Sequence, residues 1–255
     1  MPVIPFVLLA IFAAALARLV YKDGDEYRRF KAQTDTHGRQ RFYATWLAKS
    51  FAVFGVGSVA SLAITGYLPA LIQMPAPFAQ LSDSLQPVID LHHVDGDFFL
   101  GFGGSLAAGL IVAWLILRYR AKRRTPQDGP PKVIMVGDIQ PLLPRNAAER
   151  WWAAFLSINA GMSEELFFRL ALPLLIVLVT GNVIVAFAAA TIVFGLMHLY
   201  QGWVGVVMTG LVGAVMSAIY LASGSIWIVA TLHAVMDLNG LILMPWIAQR
   251  SMRKA

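Results

Sequence analysis

Apolar residues along this chain run in long blocks separated by short polar segments. The blocks lie at about 2–20, 50–73, 98–118, 151–180, 183–201, 203–222 and 226–247. Each is long enough, or nearly so, for the roughly 17–25 residues that a helix needs to cross a bilayer. The pattern predicts an all-α polytopic membrane protein with about seven transmembrane helices. No basic residue precedes the first block, and Arg18 and Lys22 follow it. That arrangement is wrong for a cleaved signal, so the block reads as a retained anchor.

The polar segments set an orientation. Residues 21–49 and 118–150 are rich in Lys and Arg, and the C-terminus ends in Arg250, Arg253 and Lys254. Residues 74–97 carry Asp83, Asp90, Asp95 and Asp97 but no Lys or Arg. Seven spans with the N-terminus outside place every basic segment in the cytoplasm, as the positive-inside rule requires. His92 and His93 then fall in the outer loop and need no functional reading. The segment 121–147 holds Pro126, Pro130, Pro131, Pro141 and Pro144 before Trp151 and Trp152, a pair suited to a membrane interface. The expected organisation is an N-terminal set of anchoring helices over 1–120, a Pro-rich basic linker over 121–150, and a catalytic bundle over 151–247 in the C-terminal half. In the sixth block Gly205, Thr209, Gly213 and Ser217 recur every four residues, a stripe of small side chains that lets a neighbouring helix approach.

Composition agrees. Of 255 residues, 58% are hydrophobic and 13% charged, against about 45–50% and about 25% in soluble domains. This excludes an ordinary soluble domain, a disordered chain and a nucleic-acid scaffold. The net charge of +6 belongs to the expected cytoplasmic segments, so the expected partners are membrane lipid and a membrane-associated protein or peptide, not nucleic acid. Cysteine is absent, which removes disulfides, thiolate catalysis and Cys-ligated zinc.

The chemistry lies in ionisable residues inside the apolar blocks. The fourth block contains Glu164, Glu165 and Arg169, the fifth Phe194 and His198, and the seventh His233 and Asp237. One Asp or Arg at the centre of a spanning helix costs roughly 2.5–3.5 kcal/mol. Such residues mark function by default and need partners or a water-filled cavity. Glu165 and Arg169, four apart, share a helix face and can pair. Glu164 points about 100° away from Glu165. If the faces converge, Glu164, His198, His233 and Asp237 meet in one pocket, an inventory suited to activating water or holding a metal ion. Counting rise per residue puts Glu164 and Asp237 near mid-membrane and His198 shallower. Either the fifth span stops short of the interface or the site is a funnel open to the cytoplasm; the need for water favours the funnel.

Glu-Glu-x-x-x-Arg, Phe-x-x-x-His and His-x-x-x-Asn/Asp, in this order on successive helices, resemble the motifs of the CAAX protease and bacteriocin-processing (CPBP, or Abi) family of intramembrane proteases. The resemblance covers about 150–240. Asp237 stands where many members have Asn, and Asn239 is two residues out of register. His-Glu-x-x-His, Gly-x-Ser-Gly and Gly-x-Gly-Asp, the marks of other intramembrane proteases, do not occur.

The expected activity is therefore intramembrane endopeptidase, acting in the inner (plasma) membrane of a bacterium with its opening and C-terminus cytoplasmic. Glu164 is the expected general base, with His198 and His233 polarising the water or the oxyanion directly or through a divalent metal. Glu165 and Arg169 would hold their helix in register, Phe194 would be a pocket wall and Asp237 would orient His233. His198, His233 and Glu164 form a candidate ligand set for zinc, which ligand chemistry alone slightly favours. A non-catalytic membrane scaffold or chaperone on the same fold is the alternative. An ion-coupled transporter fits less well, because the buried charges crowd into three helices of one half.

Overall fold

The computed structural model describes residues 3–85, 119 and 137–247, which form helices and turns with no strand among them. The expected third span at 98–118, the basic cluster at 118–124, most of the Pro-rich linker and the last eight residues lie outside the described residues, Tyr119 excepted. Seven helices are described: α1 (Val3–Lys31), α2 (Thr36–Thr65), α3 (Ala76–Leu85), α4 (147–180), α5 (Val183–Leu196), α6 (Leu199–Ser223) and α7 (Ile226–Ile247). Of these, α1, α2, α6 and α7 are long and apolar enough to cross a bilayer. The fourth helix also has the length but carries Glu164, Glu165 and Arg169 near its middle. This is an integral membrane protein of the all-α class.

The central element is α4. Its first half packs against α2 and α7, and its second half against α1 and α5. Asn146 caps its start by accepting a hydrogen bond from Glu149 N at 3.0 Å. At its end Gly181 adopts φ 69°, a left-handed conformation that glycine enters without strain. The next residue, Asn182, already caps α5, so the chain reverses at once and α4 and α5 lie side by side. Phe12 of α1, Phe54 of α2, Phe167 and Phe168 of α4 and Phe194 of α5 join these helices through ring contacts of 4.9–5.3 Å.

Two expected boundaries move. Residues 21–49, read as a basic loop, are mostly helix, because α1 continues to Lys31 and α2 begins at Thr36. Tyr27 and Phe30 of α1 and Tyr43 of α2 are buried together and extend both helices past the apolar blocks. The fifth span, expected over 183–201, ends at Leu196. Its 14 residues span roughly 21 Å at about 1.5 Å each, short of the roughly 30 Å hydrocarbon core. The helix tightens there: His198 N bonds Gly195 O at 3.0 Å, and Gln201 N bonds His198 O at 2.9 Å. The residues in this turn remain apolar enough that the hydropathy pattern runs through it.

Where the basic segments meet, Glu149 is fully buried and Arg39 is 4% exposed. Arg39 Nε lies 3.1 Å from Glu149 Oε2, and Arg145 Nη2 2.9 Å from Oε1. Arg39 also donates to Tyr43 Oη and to the carbonyls of Pro141 and Leu143. The cluster ties α2 and the segment before α4 to the first turn of α4. Burial pushes the Glu149 carboxyl up, but hydrogen bonds from Arg145 and then the Arg39 charge outweigh it and hold it below the usual carboxylate range.

Replacing Glu149 with Gln leaves Arg39 buried beside a neutral group and should destabilise the protein by about 3 kcal/mol at neutral pH. Because the folded-state pKa is depressed, this stability exists above the unfolded value of about 4.3 and is lost as pH falls through the folded one. Thermal unfolding in detergent should show a wide wild-type-to-Glu149→Gln gap at pH 7 that narrows below about pH 4.

Candidate active site

The Glu-Glu-x-x-x-Arg motif divides its two carboxylates. Glu165 is fully buried, with Arg169 Nε at 2.9 Å from Oε2 and His233 Nδ1 at 2.6 Å from Oε1. One carboxylate thus joins α4 to itself and to α7. The Arg169 guanidinium, 1% exposed on its side chain, lies 4.2 Å from the centre of the Phe194 ring. A ring face suits a guanidinium that is ion-paired to Glu165 but none of whose nitrogens has a hydrogen-bond partner among the described residues. Glu164, one residue earlier, takes no part in this cluster. It faces a cavity of about 450 Å³ whose walls also include His198, His233 and Asp237.

Phe194 is the hub of the aromatic contacts as well as a cavity wall. Its ring meets the His198 imidazole edge-on at 4.8 Å and the His233 imidazole at 6.2 Å. The residue also fixes the His198 tautomer. Nδ1 lies 2.8 Å from the Phe194 carbonyl oxygen, which can only accept, so Nδ1 carries the proton and the neutral ring keeps its lone pair at Nε2. His233 likewise donates from Nδ1 to Glu165 and turns Nε2 away from it. Asp237 Oδ2 lies 3.8 Å from that Nε2, too long for a hydrogen bond. The orienting bond expected from Asp237 is made by Glu165 instead.

Two local features allow this convergence. The turns at Leu166–Ala171 in α4 and Asn239–Leu243 in α7 are π-helical, directly after Glu165 and two residues after Asp237. Such widened turns recur at functional sites. Gly161, one turn before Glu165, lets α4 and α7 touch backbone to backbone. A Cβ there would sit 2.5 Å from Ala234 N and 2.7 Å from Ala230 O. Gly213, in the small-residue stripe of α6, admits Phe194 in the same way, since its Cβ would meet the ring at 2.8 Å.

All six residues expected from the sequence therefore gather at one place, four on the cavity wall and Glu165 and Arg169 behind it. The proposed metal ligands are less close. Among the described residues, no three His, Asp or Glu side chains converge enough to hold a metal ion. His198, His233 and Glu164 do not fit one in this arrangement. The N-terminal helices, read as anchors, supply part of the cavity wall through Asp23, Tyr27, Trp46, Lys49 and Phe54. Asp23, Tyr27, Trp46 and Lys49 sit in segments that charge counting treats only as topology signals.

The three motifs all lie within one family match. Residues 146–239, from the Asn146 cap to the π-turn of α7, match the family model described as type II CAAX prenyl endopeptidase Rce1-like. This segment is an Rce1-like domain. The match leaves out α1–α3. No curated protein and no solved structure shows significant similarity to the chain. The Rce1-like family is one of proteases, and the matched segment includes Glu164, His198, His233 and Asp237 of the cavity wall.

A methyl group at Gly161 meets backbone atoms that cannot swing aside, so Gly161→Ala must push α4 from α7. Overpacking of this kind costs about 1–3 kcal/mol. The variant should melt earlier than wild type in detergent, because the separation carries His233 away from Glu165.

Proposed function

We propose that this protein is an intramembrane endopeptidase that hydrolyses a peptide bond of a membrane-associated protein or peptide admitted to the cavity. The observation that carries the reading is the division of the carboxylates. Glu165 is occupied by Arg169 and His233, whereas Glu164 faces the cavity that His198 and His233 also line.

Glu164 accepts a proton from a water molecule as the water oxygen attacks the scissile carbonyl carbon. The carbonyl π pair moves onto oxygen. His198, with its lone pair at Nε2, accepts a hydrogen bond from the same water and orients it. His233, held from behind by Glu165, presents Nε2 toward the developing oxyanion and in its charged form donates to it. Collapse of the tetrahedral species breaks the C–N bond, and the amine leaves with the proton from Glu164. The products are a new carboxylate and a new amino terminus. Arg169 acts behind this chemistry, holding Glu165 rather than touching substrate.

No step in this sequence runs through a metal. A divalent ion such as zinc would need His198, His233 and Glu164 to draw together. Near-stoichiometric metal in the purified protein, lost in both His198→Ala and His233→Ala, would demonstrate that they do. The reading turns the part of the cavity wall that includes Asp23 and Lys49 toward the cytoplasmic side of a bacterial inner membrane, where the basic segments point.

Glu164→Gln removes the base and leaves packing intact. Hydrolysis of a peptide substrate library by purified protein should fall at least 10²-fold, with an unchanged thermal midpoint. Arg169→Ala should instead lower the midpoint, because Glu165 loses its partner in low dielectric. Full biological function retained in Glu164→Gln, with hydrolysis lost, would replace the enzyme with a non-catalytic scaffold or chaperone.

A further inference from the structure

Tyr200 lies in the turn just beyond His198 and outside the three motifs, yet it lines the same cavity as Glu164, His198 and His233. Its ring stacks on the His198 imidazole, with centroids 6.1 Å apart and planes at 29°. From another side the Tyr27 ring of α1 meets it edge-on at 5.1 Å. The Tyr27 hydroxyl donates to the Asp138 carbonyl and is itself fixed. Tyr200 is therefore held by two aromatic neighbours before any substrate arrives.

One hydrogen bond limits where the hydroxyl proton can point. Gln201 Nε2 donates to Tyr200 Oη at 2.9 Å. An amide NH₂ cannot accept, so the phenol proton does not point at Gln201 and remains free to donate elsewhere. Accepting one hydrogen bond also polarises the O–H group and strengthens the bond it donates. Gln201 is in turn confined by Gly205, where a Cβ would lie 2.5 Å from Gln201 Cβ. The Gln201 backbone is fixed too, since its carbonyl accepts from Asp138 N at 3.0 Å. A buttressed amide thus sets up a phenol on the wall that carries the proposed base and imidazoles.

We propose that Tyr200 is a further catalytic residue of this site, whose hydroxyl donates a hydrogen bond to the scissile carbonyl oxygen as it becomes an oxyanion. No proton is transferred. The O–H bond stays intact through attack and collapse, and the hydrogen bond shortens while charge resides on the carbonyl oxygen. A donor of this kind acts where charge develops, so its loss lowers kcat and leaves KM nearly unchanged. The proposal rests on the endopeptidase reading above.

The test uses the full-length protein in detergent or liposomes and a peptide cleaved by wild type, with Glu164→Gln, Tyr200→Phe and Gln201→Glu assayed together. Tyr200→Phe keeps the ring and its stacking on His198 and removes only the hydroxyl. It should lower kcat about 10²–10³-fold, with KM within about threefold and an unchanged thermal midpoint. Gln201→Glu, of the same shape, replaces a donor with an acceptor that captures the Tyr200 proton, and should reproduce the kcat loss. Wild-type kcat in Tyr200→Phe, or a loss carried entirely by KM, overturns the proposal while an inactive Glu164→Gln leaves the endopeptidase reading standing. Wild-type kcat in Gln201→Glu overturns the assigned direction of the hydroxyl. Full hydrolysis by Glu164→Gln overturns both readings together.

Discussion

A carboxylate with no access to solvent must be neutralised by its neighbours, and in this protein Glu165 meets that demand from two helices at once. Arg169 supplies a cation one turn along α4, and His233 supplies an N–H from α7. The cost of burying an unpaired carboxylate is several kcal/mol, so the packing of α4 on α7 is tied to the position of an imidazole. The backbone contact at Gly161 makes the approach sterically feasible. Everything proposed for the cavity follows: His233 is aimed by Glu165, Phe194 is pinned beneath Arg169, and Glu164 is left facing the cavity.

A second buried carboxylate anchors the other end of α4. Glu149 gathers Arg39 and Arg145 and thereby fixes the start of the helix against α2. The two clusters differ in what they leave over. Around Glu149 the guanidinium donors point at the carboxylate, at the Tyr43 hydroxyl or at backbone carbonyls, which makes a lock. Around Glu165 the arrangement leaves His233 Nε2 facing Asp237 and the cavity. Paired charge therefore holds the scaffold, and the groups outside the pairing are the ones available to a substrate.

Much of this was legible in the sequence because lipid exposure makes polar residues conspicuous. Glu164, Glu165, Arg169, His198, His233 and Asp237 interrupt apolar blocks at one-turn spacings, and the structure gathers them as the faces predict. Which carboxylate would bind His233 was not legible, since periodicity gives directions along one helix and not the distance to another. The early end of α5 escaped because Leu199 and Tyr200 keep the hydropathy high through the turn. The π-turns have no residue signature at all. Arg39, Arg145 and Lys49 looked like interchangeable positive charge, since counting loop charges cannot separate a topology signal from a buried partner or a cavity wall. Tyr200 lay hidden for a related reason: its significance comes from the Gln201 amide and the His198 ring, which only the tertiary fold places beside it.

The coupling between Glu165 and His233 holds α4 on α7, and a double-mutant cycle on thermal and denaturant unfolding measures it. Glu165→Gln, His233→Ala and the double variant would be compared with wild type in the same detergent. The two substitutions should not be additive, with an interaction energy above about 1 kcal/mol, as expected for residues sharing one buried network. Stability losses that add to within about 0.5 kcal/mol, the behaviour of independent sites, would contradict it.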